Sequence, residues 1–241
     1  PLPSATTDTT TSRIMPGIGP GVGMGTMEHV DGSRSAEAMY DATAAFLRQG
    51  GRHLDCAELY STGGHVARAI ADCGLERGEL HVTTKLAGLP IDRGDGGGPR
   101  EYAAVRERMV RHLEELGLTH VDLLLIHWPG PSAPPGCQPT DGFALAHARK
   151  LLDGEPADLA AACSWEHFDE HIDAAWDNMQ RLREDGLCTE IGVSNMSLAH
   201  LDRLTAAGPT VGPFANQIHI SVTHQQTQLV TEMLARGILP V

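Results

Sequence analysis

The chain has 241 residues, an apolar share of 41% and a net charge of −13. That length suits one large α/β domain, and that apolar share can fill a core. The charge argues against nucleic acid and anionic membrane as partners, because phosphate binding needs clustered Lys and Arg. No apolar run reaches the roughly 20 residues of a membrane-crossing helix, so no membrane insertion is expected.

The five cysteines (Cys56, Cys73, Cys137, Cys163 and Cys188) are scattered and form no C-x-x-C pair. They read as reduced thiols in the cytoplasm or in an organelle matrix or stroma. The Thr-, Ser- and Pro-rich opening, residues 1–16, has no apolar core of a signal peptide and reads as a flexible segment. A single barrel-like domain is expected over 17–241. It begins with "GIGPGVGMGT", in which glycines alternate at 17, 19, 21, 23 and 25. No window fits the G-x-G-x-x-G of a doubly wound nucleotide fold. Alternating glycines suit a turn, or a strand against which something packs closely.

From there strands and helices alternate. "GRHLDC" is a short strand. "HVARAIADCGL" is a helix with Val66, Ile70 and Cys73 on one face. "LHVTTKL" is a strand rich in Val and Thr. "REYAAVRERMVRHLEELGL" is a helix with Val105, Met109, Leu113 and Leu116 aligned, stopped by Gly117. "VDLLLIH" is a buried strand. A Pro- and Gly-rich stretch from Gly130 to Trp165 interrupts the rhythm, and a loop that long is either functional or disordered. "HFDEHIDAAWDNMQRLREDG" is a helix with Ile172, Trp176, Met179 and Leu182 on one stripe and Gly186 beyond its end. "TEIGVSN" is a strand, "SLAHLDRLTAAG" a helix that Ser197 can cap, "FANQIHI" a strand, "THQQTQLVTEMLARG" a helix, and "ILPV" opens a further strand.

Alternation at this spacing predicts βαβ units on a parallel sheet, here a (β/α)8 barrel. In such a barrel the C-terminal strand ends share one rim, where active sites form. Four successive strands end on Asp55, Lys85, His127 and Ser194-Asn195, with Tyr60 in the turn after Asp55. A lone histidine or lysine at a strand end is usually structural. Four titratable or polar ends in order point to a site.

These segments resemble the aldo-keto reductase family. "HLDCAELY" looks like its strand-two signature, "HVTTKL" and "LGLTHVDLLLIHWPGP" resemble the segments bearing its Lys and His, and "LREDGLCTEIGVSN" and "FANQIHI" resemble its later cofactor motifs. The resemblance runs from about Gly21 to Val241. It implies a TIM barrel and NADPH-dependent reduction of a small aldehyde or ketone substrate, with NADH as the alternative carrier. It also implies roles: Tyr60 as general acid, Lys85 lowering the phenol's pKa, Asp55 holding Lys85, and His127 orienting the carbonyl. Ser194, Asn195 and Gln217 would hold the nicotinamide carboxamide. Gly25 and Thr26 would lie near the ribose and phosphates, with Asp55 also at the cofactor.

Two departures stand out. Gly64 and His65 occupy the place of a Glu that the family usually has soon after its Tyr. The family's last strand or strands, last helices and phosphate-binding loop have no counterpart before Val241. The expectation is therefore a barrel incomplete at its C-terminus, with a partner subunit over the open edge as one possibility. A non-catalytic family-like subunit with a structural or regulatory role is the alternative function. A third reading is a zinc peptidase, since His167 to His171 spells H-x-x-E-H and Glu170 could serve as base.

Overall fold

The computed structural model describes residues 22–27, 36–89, 99–130 and 165–241. The flexible segment expected at 1–16 lies outside the described residues, as does all of the long Pro- and Gly-rich stretch but its two ends. Seven parallel strands form one sheet in chain order: β1 (Met24–Gly25), β2 (His53–Asp55), β3 (His81–Leu86), β4 (Val121–Ile126), β5 (Cys188–Ser194), β6 (Ala215–Gln217) and β7 (Leu239–Pro240). Among the described residues six α-helices are interleaved: α1 (Ala36–Arg48), α2 (Gly63–Cys73), α3 (Pro99–Glu115), α4 (Trp165–Glu184), α5 (Leu198–Ala206) and α6 (Thr227–Ala235).

The sheet is strongly curled. Gln217 at the end of β6 donates from Nε2 to Asp55 Oδ1 at the end of β2, 3.2 Å away, across an arc that a flat sheet would hold open. β1 and β7 stand at the two ends of the strand order, so the described strands make an incomplete barrel.

Register sorts the side chains. Thr83 pairs with Leu123 and Lys85 with Leu125; Leu123 pairs with Glu190 and Leu125 with Gly192. These residues therefore share the concave face. Leu123, Leu125, Phe214 and Ala215 form a small apolar cluster there. The convex face carries Leu54, Val82, Leu124, Ile126, Ile191 and Val193, which meet the helices in the main core. The predicted stripes join it from the helix side: Val105, Met109, Leu113 and Leu116 of α3, and Ile172, Trp176, Met179 and Leu182 of α4.

Packing explains one glycine of the first segment, Gly23. A Cβ on Gly23 would lie 2.7 Å from His53 Nδ1, so the imidazole rests directly on bare backbone. Gly117 and Gly186, the expected helix stops, have φ of +66° and +74°, the left-handed conformation that ends a helix cheaply only in glycine. Ser197 caps α5 as expected, its Oγ accepting from His200 N–H while His200 Nδ1 accepts from Ser197 N–H. This is a capping box with histidine in the usual Glu position.

Two elements depart from the sequence reading. Helix α1 has no counterpart in it, although Met39, Thr43, Ala44 and Leu47 recur at helical spacing and are all buried. The strand expected over "FANQIHI" is confined to Ala215–Gln217. The ladder continues only as far as Ile218 N–H to Val241 O, and the chain then turns, leaving Ile220 49% and Val222 91% exposed.

Candidate active site

The strand ends converge as their order predicts. Lys85 is buried, and its ammonium donates to both carboxylate oxygens of Asp55 at 2.7 and 2.8 Å. It also donates to Cys56 O at 3.1 Å, and it reaches Tyr60 Oη at 3.5 Å, the outer limit of a hydrogen bond. Tyr60 is placed by a tight turn in which its N–H donates to Ala57 O. Its ring meets His127 edge-on, with centroids 5.9 Å apart. His127 follows β4 directly and donates its N–H to Leu86 O, so it sits two residues beyond the Lys85 level of the neighbouring strand and on the same face.

Charge at the site follows from burial and neighbours. Burial is the largest single influence and would lower the Lys85 pKa, but Asp55 and Tyr60 together outweigh it and hold the ammonium above its ordinary value. His127 is driven well below the ordinary imidazole value, first by burial and then by the Lys85 charge, so it is neutral at pH 7. For Tyr60 the sequence reading requires correction. Lys85 does pull its pKa down, but burial is the larger influence and the phenol lies above its ordinary value. A buried phenolate loses more hydration than one ammonium at 3.5 Å returns.

Of the cofactor residues of the sequence reading, Ser194, Asn195 and Gln217 line the same mouth. Asn195, at φ +59°, donates from Nδ2 to His127 O and to Ser194 Oγ. Ser194 Oγ donates to Gln217 O, and Gln217 Nε2 donates to Asp55. The amide oxygens of Asn195 and Gln217 take part in none of these bonds. Thr26 is buried, and its hydroxyl donates to Asp55 O while its carbonyl accepts from Thr62 Oγ1. Its side chain thus fastens β1 to β2, and Gly25, with nothing within 4 Å of an added Cβ, is the open position beside it. A cavity of about 1230 Å³ is bounded by Tyr60, His127, Trp128, Ser194, Asn195 and Gln217, among others. His127 Nδ1 is buried without a hydrogen-bond partner beside it.

Trp128 was not singled out from the sequence. It stacks on His127 with centroids 5.8 Å apart, and its place directly after that histidine was the available signal. The peptidase motif fares differently. The His167 side chain lies outside the described residues, Glu170 is exposed 3.7 Å from His171, and no group of three metal-ligating side chains occurs among the described residues. No described helix is long and apolar enough to cross a membrane.

Comparison with known proteins bears on this cleft. The model of the aldo/keto reductase family matches residues 21–241. Among curated proteins, the chain is 30% identical over 221 residues to glycerol 2-dehydrogenase (NADP(+)) of Saccharomyces cerevisiae and 32% identical over 221 residues to that organism's aldehyde reductase YPR1. Each alignment covers 91% of this chain and 62% of the relative, so the chain spans under two thirds of their length. Among solved structures, the Bombyx mori aldo-keto reductase in complex with NADP superposes with a TM-score of 0.68 at 28% identity, covering 91% of this chain and 61% of that one. An aldo/keto reductase from Brucella melitensis gives 0.63 at 27% identity, covering 90% and 65%.

Proposed function

This chain belongs to the aldo/keto reductase family, and from that premise we propose that it carries the catalytic rim of an NADPH-dependent oxidoreductase that reduces a small aldehyde or ketone to an alcohol. The observation that carries the proposal is the meeting of Asp55, Tyr60, Lys85 and His127 beside one cavity. The printed names of the two yeast relatives and the NADP complex of the Bombyx mori protein support the reaction class and the cofactor. The same convergence argues against a non-catalytic subunit, which has no need to keep these four side chains together.

The residues present suit a nicotinamide. Asn195 and Gln217 have amide oxygens outside the bonds described, ready to accept from a carboxamide, and Ser194 fixes Asn195 through its Oγ. Gly25, paired with Asp55 at the end of β1, leaves open space. When bound, the cofactor supplies a hydride to the carbonyl carbon. The protein supplies the proton and the orientation. Tyr60, with its pKa above the ordinary phenol value, is fully protonated at neutral pH and can donate its O–H to the developing alkoxide. The phenolate left behind faces the Lys85 ammonium, which Asp55 keeps charged and in place. Neutral His127 can donate to the carbonyl oxygen from its ring, a fixed donor of the oxyanion-hole kind. Free, scattered thiols at Cys56, Cys73 and Cys188 suit a reducing compartment.

The test is to supply the natural protein with NADPH and a panel of aldehydes and ketones, and to follow NADPH loss together with alcohol formation. Stoichiometric formation of alcohol is expected. Absence of both cofactor binding and turnover would remove the proposal.

A further inference from the structure

A second charged pair lies just behind Tyr60, and nothing in the reaction above uses it. Glu58 is two residues before Tyr60, and its N–H donates to Lys85 O at 3.0 Å. Its carboxylate accepts from Arg108 of α3 twice, Nε to Oε1 and Nη2 to Oε2, each at 2.5 Å. Oε2 also accepts from Ala87 N–H at 2.9 Å, and Arg108 Nη2 returns to Ala87 O at 2.8 Å. The three residues close a ring that ties the Tyr60 turn, the end of β3 and helix α3 together. The side chains are only 18% and 23% exposed. Burial favours the neutral acid, but the Arg108 contacts outweigh it, and Glu58 sits below its ordinary pKa and stays charged.

An ion pair removed from water stabilises little, because desolvation offsets the attraction. What a forked, two-bond Arg–carboxylate contact does supply is fixed geometry. Here that geometry falls where it matters. Tyr60 hangs from a turn, and Lys85 projects from β3. Their 3.5 Å separation depends on how the turn is seated against the strand. The Glu58 N–H to Lys85 O bond and the Glu58–Ala87 bond seat it on both sides of Leu86, whose carbonyl in turn holds His127 N–H.

We infer that Glu58 and Arg108 are positioning residues, a clamp that sets Tyr60 against Lys85 and so fixes the proton donor relative to the cleft. The inference rests on the reading of Tyr60 as the proton donor. Glu58→Gln removes the charge and weakens the fork. Glu58→Gln with Arg108→Met removes the pair together, leaving no stranded charge, and guards against simple misfolding.

In the natural protein both variants should lower kcat on the order of 10- to 10²-fold, while KM for the carbonyl and the NADPH dissociation constant stay within about threefold, the pattern of a displaced reacting group. Arg108→Lys, which keeps the charge and loses the fork, should fall between them and the unmodified protein. Crystals of the variants should show Tyr60 Oη further from Lys85 Nζ than 3.5 Å. An unchanged separation with unchanged kcat, whatever the melting temperature, would overturn the clamp. If the unmodified protein reduces no carbonyl, the functional reading fails, and the crystallographic separation alone then decides whether the clamp exists.

Discussion

The two ends of the barrel are built from similar residues and used differently. At the floor, His53 and His81 lie edge-to-face with centroids 4.7 Å apart, and both Nε2 atoms meet Thr83 Oγ1, at 3.0 and 3.3 Å. Arg77 crosses to Asp122 at 2.7 Å, and Asp122 also accepts from Val82 N–H. At the rim, the other end of the same strands, Lys85 meets Asp55, and His127 stands near Tyr60. The difference lies in what remains open. The floor imidazoles close on a hydroxyl of their own sheet. The rim imidazole keeps Nδ1 unpartnered beside a large cavity. Buried side-chain atoms without a hydrogen-bond partner occur elsewhere, in Thr43 and His65 for example, so an orphan atom alone is no mark of a site. The orphan together with a cavity and an ion pair is.

The sharpest way to separate the two ends is to break the rim pair. Lys85→Met leaves the Asp55 carboxylate without its ammonium, and loss of one partner of a buried pair costs about 3–5 kcal/mol. Activity should fall with it. Because Lys85 lowers the Tyr60 pKa, its removal should also move the Tyr60-controlled limb of the pH–rate profile upward. Chemical denaturation and pH–rate measurements on the one variant check both, and an unchanged profile would uncouple Lys85 from Tyr60.

A smaller effect is expected at the floor. Gly23→Ala drives a methyl into the His53 ring, which Thr83 and His81 hold from the other side. Overpacking of this kind costs about 1–3 kcal/mol. Stability should fall while kcat per folded molecule holds, the reverse of a rim substitution. Equal loss of both would erase the division between floor and rim.

The most gradual effect is acid destabilisation. Burial lowers the pKa of His53, of His81 (to about 4) and of His127 below the ordinary imidazole value of 6.5. The folded state therefore binds fewer protons than the unfolded chain. Stability is full above the unfolded value and declines as pH falls from 6.5 towards about 4. Each fully suppressed histidine contributes a slope of up to about 1.4 kcal/mol per pH unit. Urea titrations across that window check the slope. His81→Gln should flatten it, and a slope unmoved by that substitution would remove the floor pair from the account.

The rim was legible in the sequence because it obeys two simple periodicities. Parallel strands alternate inward and outward, and a barrel gathers their C-terminal ends, so Asp55, Lys85, His127 and Ser194 could be placed together before any coordinates. Gln217 was placed by family resemblance, and its bond to Asp55 is the contact that shows the curl of the sheet. What escaped was whatever depends on long-range pairing. Glu58 and Arg108 are 50 positions apart, and neither carries a local signal. The sign of the Tyr60 shift was misjudged because a sequence names the charged neighbour but not the depth of burial, and here burial is larger. Helix α1 is as clearly amphipathic as the helices that were expected, with Met39, Thr43, Ala44 and Leu47 buried on one face, so its signal was present in the sequence.

The central claim is that Tyr60 delivers the proton at this rim. Tyr60→Phe removes one oxygen and leaves the ring against His127. In the natural protein it should cut carbonyl reduction by at least about 10²-fold, the usual scale of general acid catalysis, while NADPH affinity and thermal stability stay close to those of the unmodified protein. Turnover near normal in Tyr60→Phe, with the fold intact, would contradict the account.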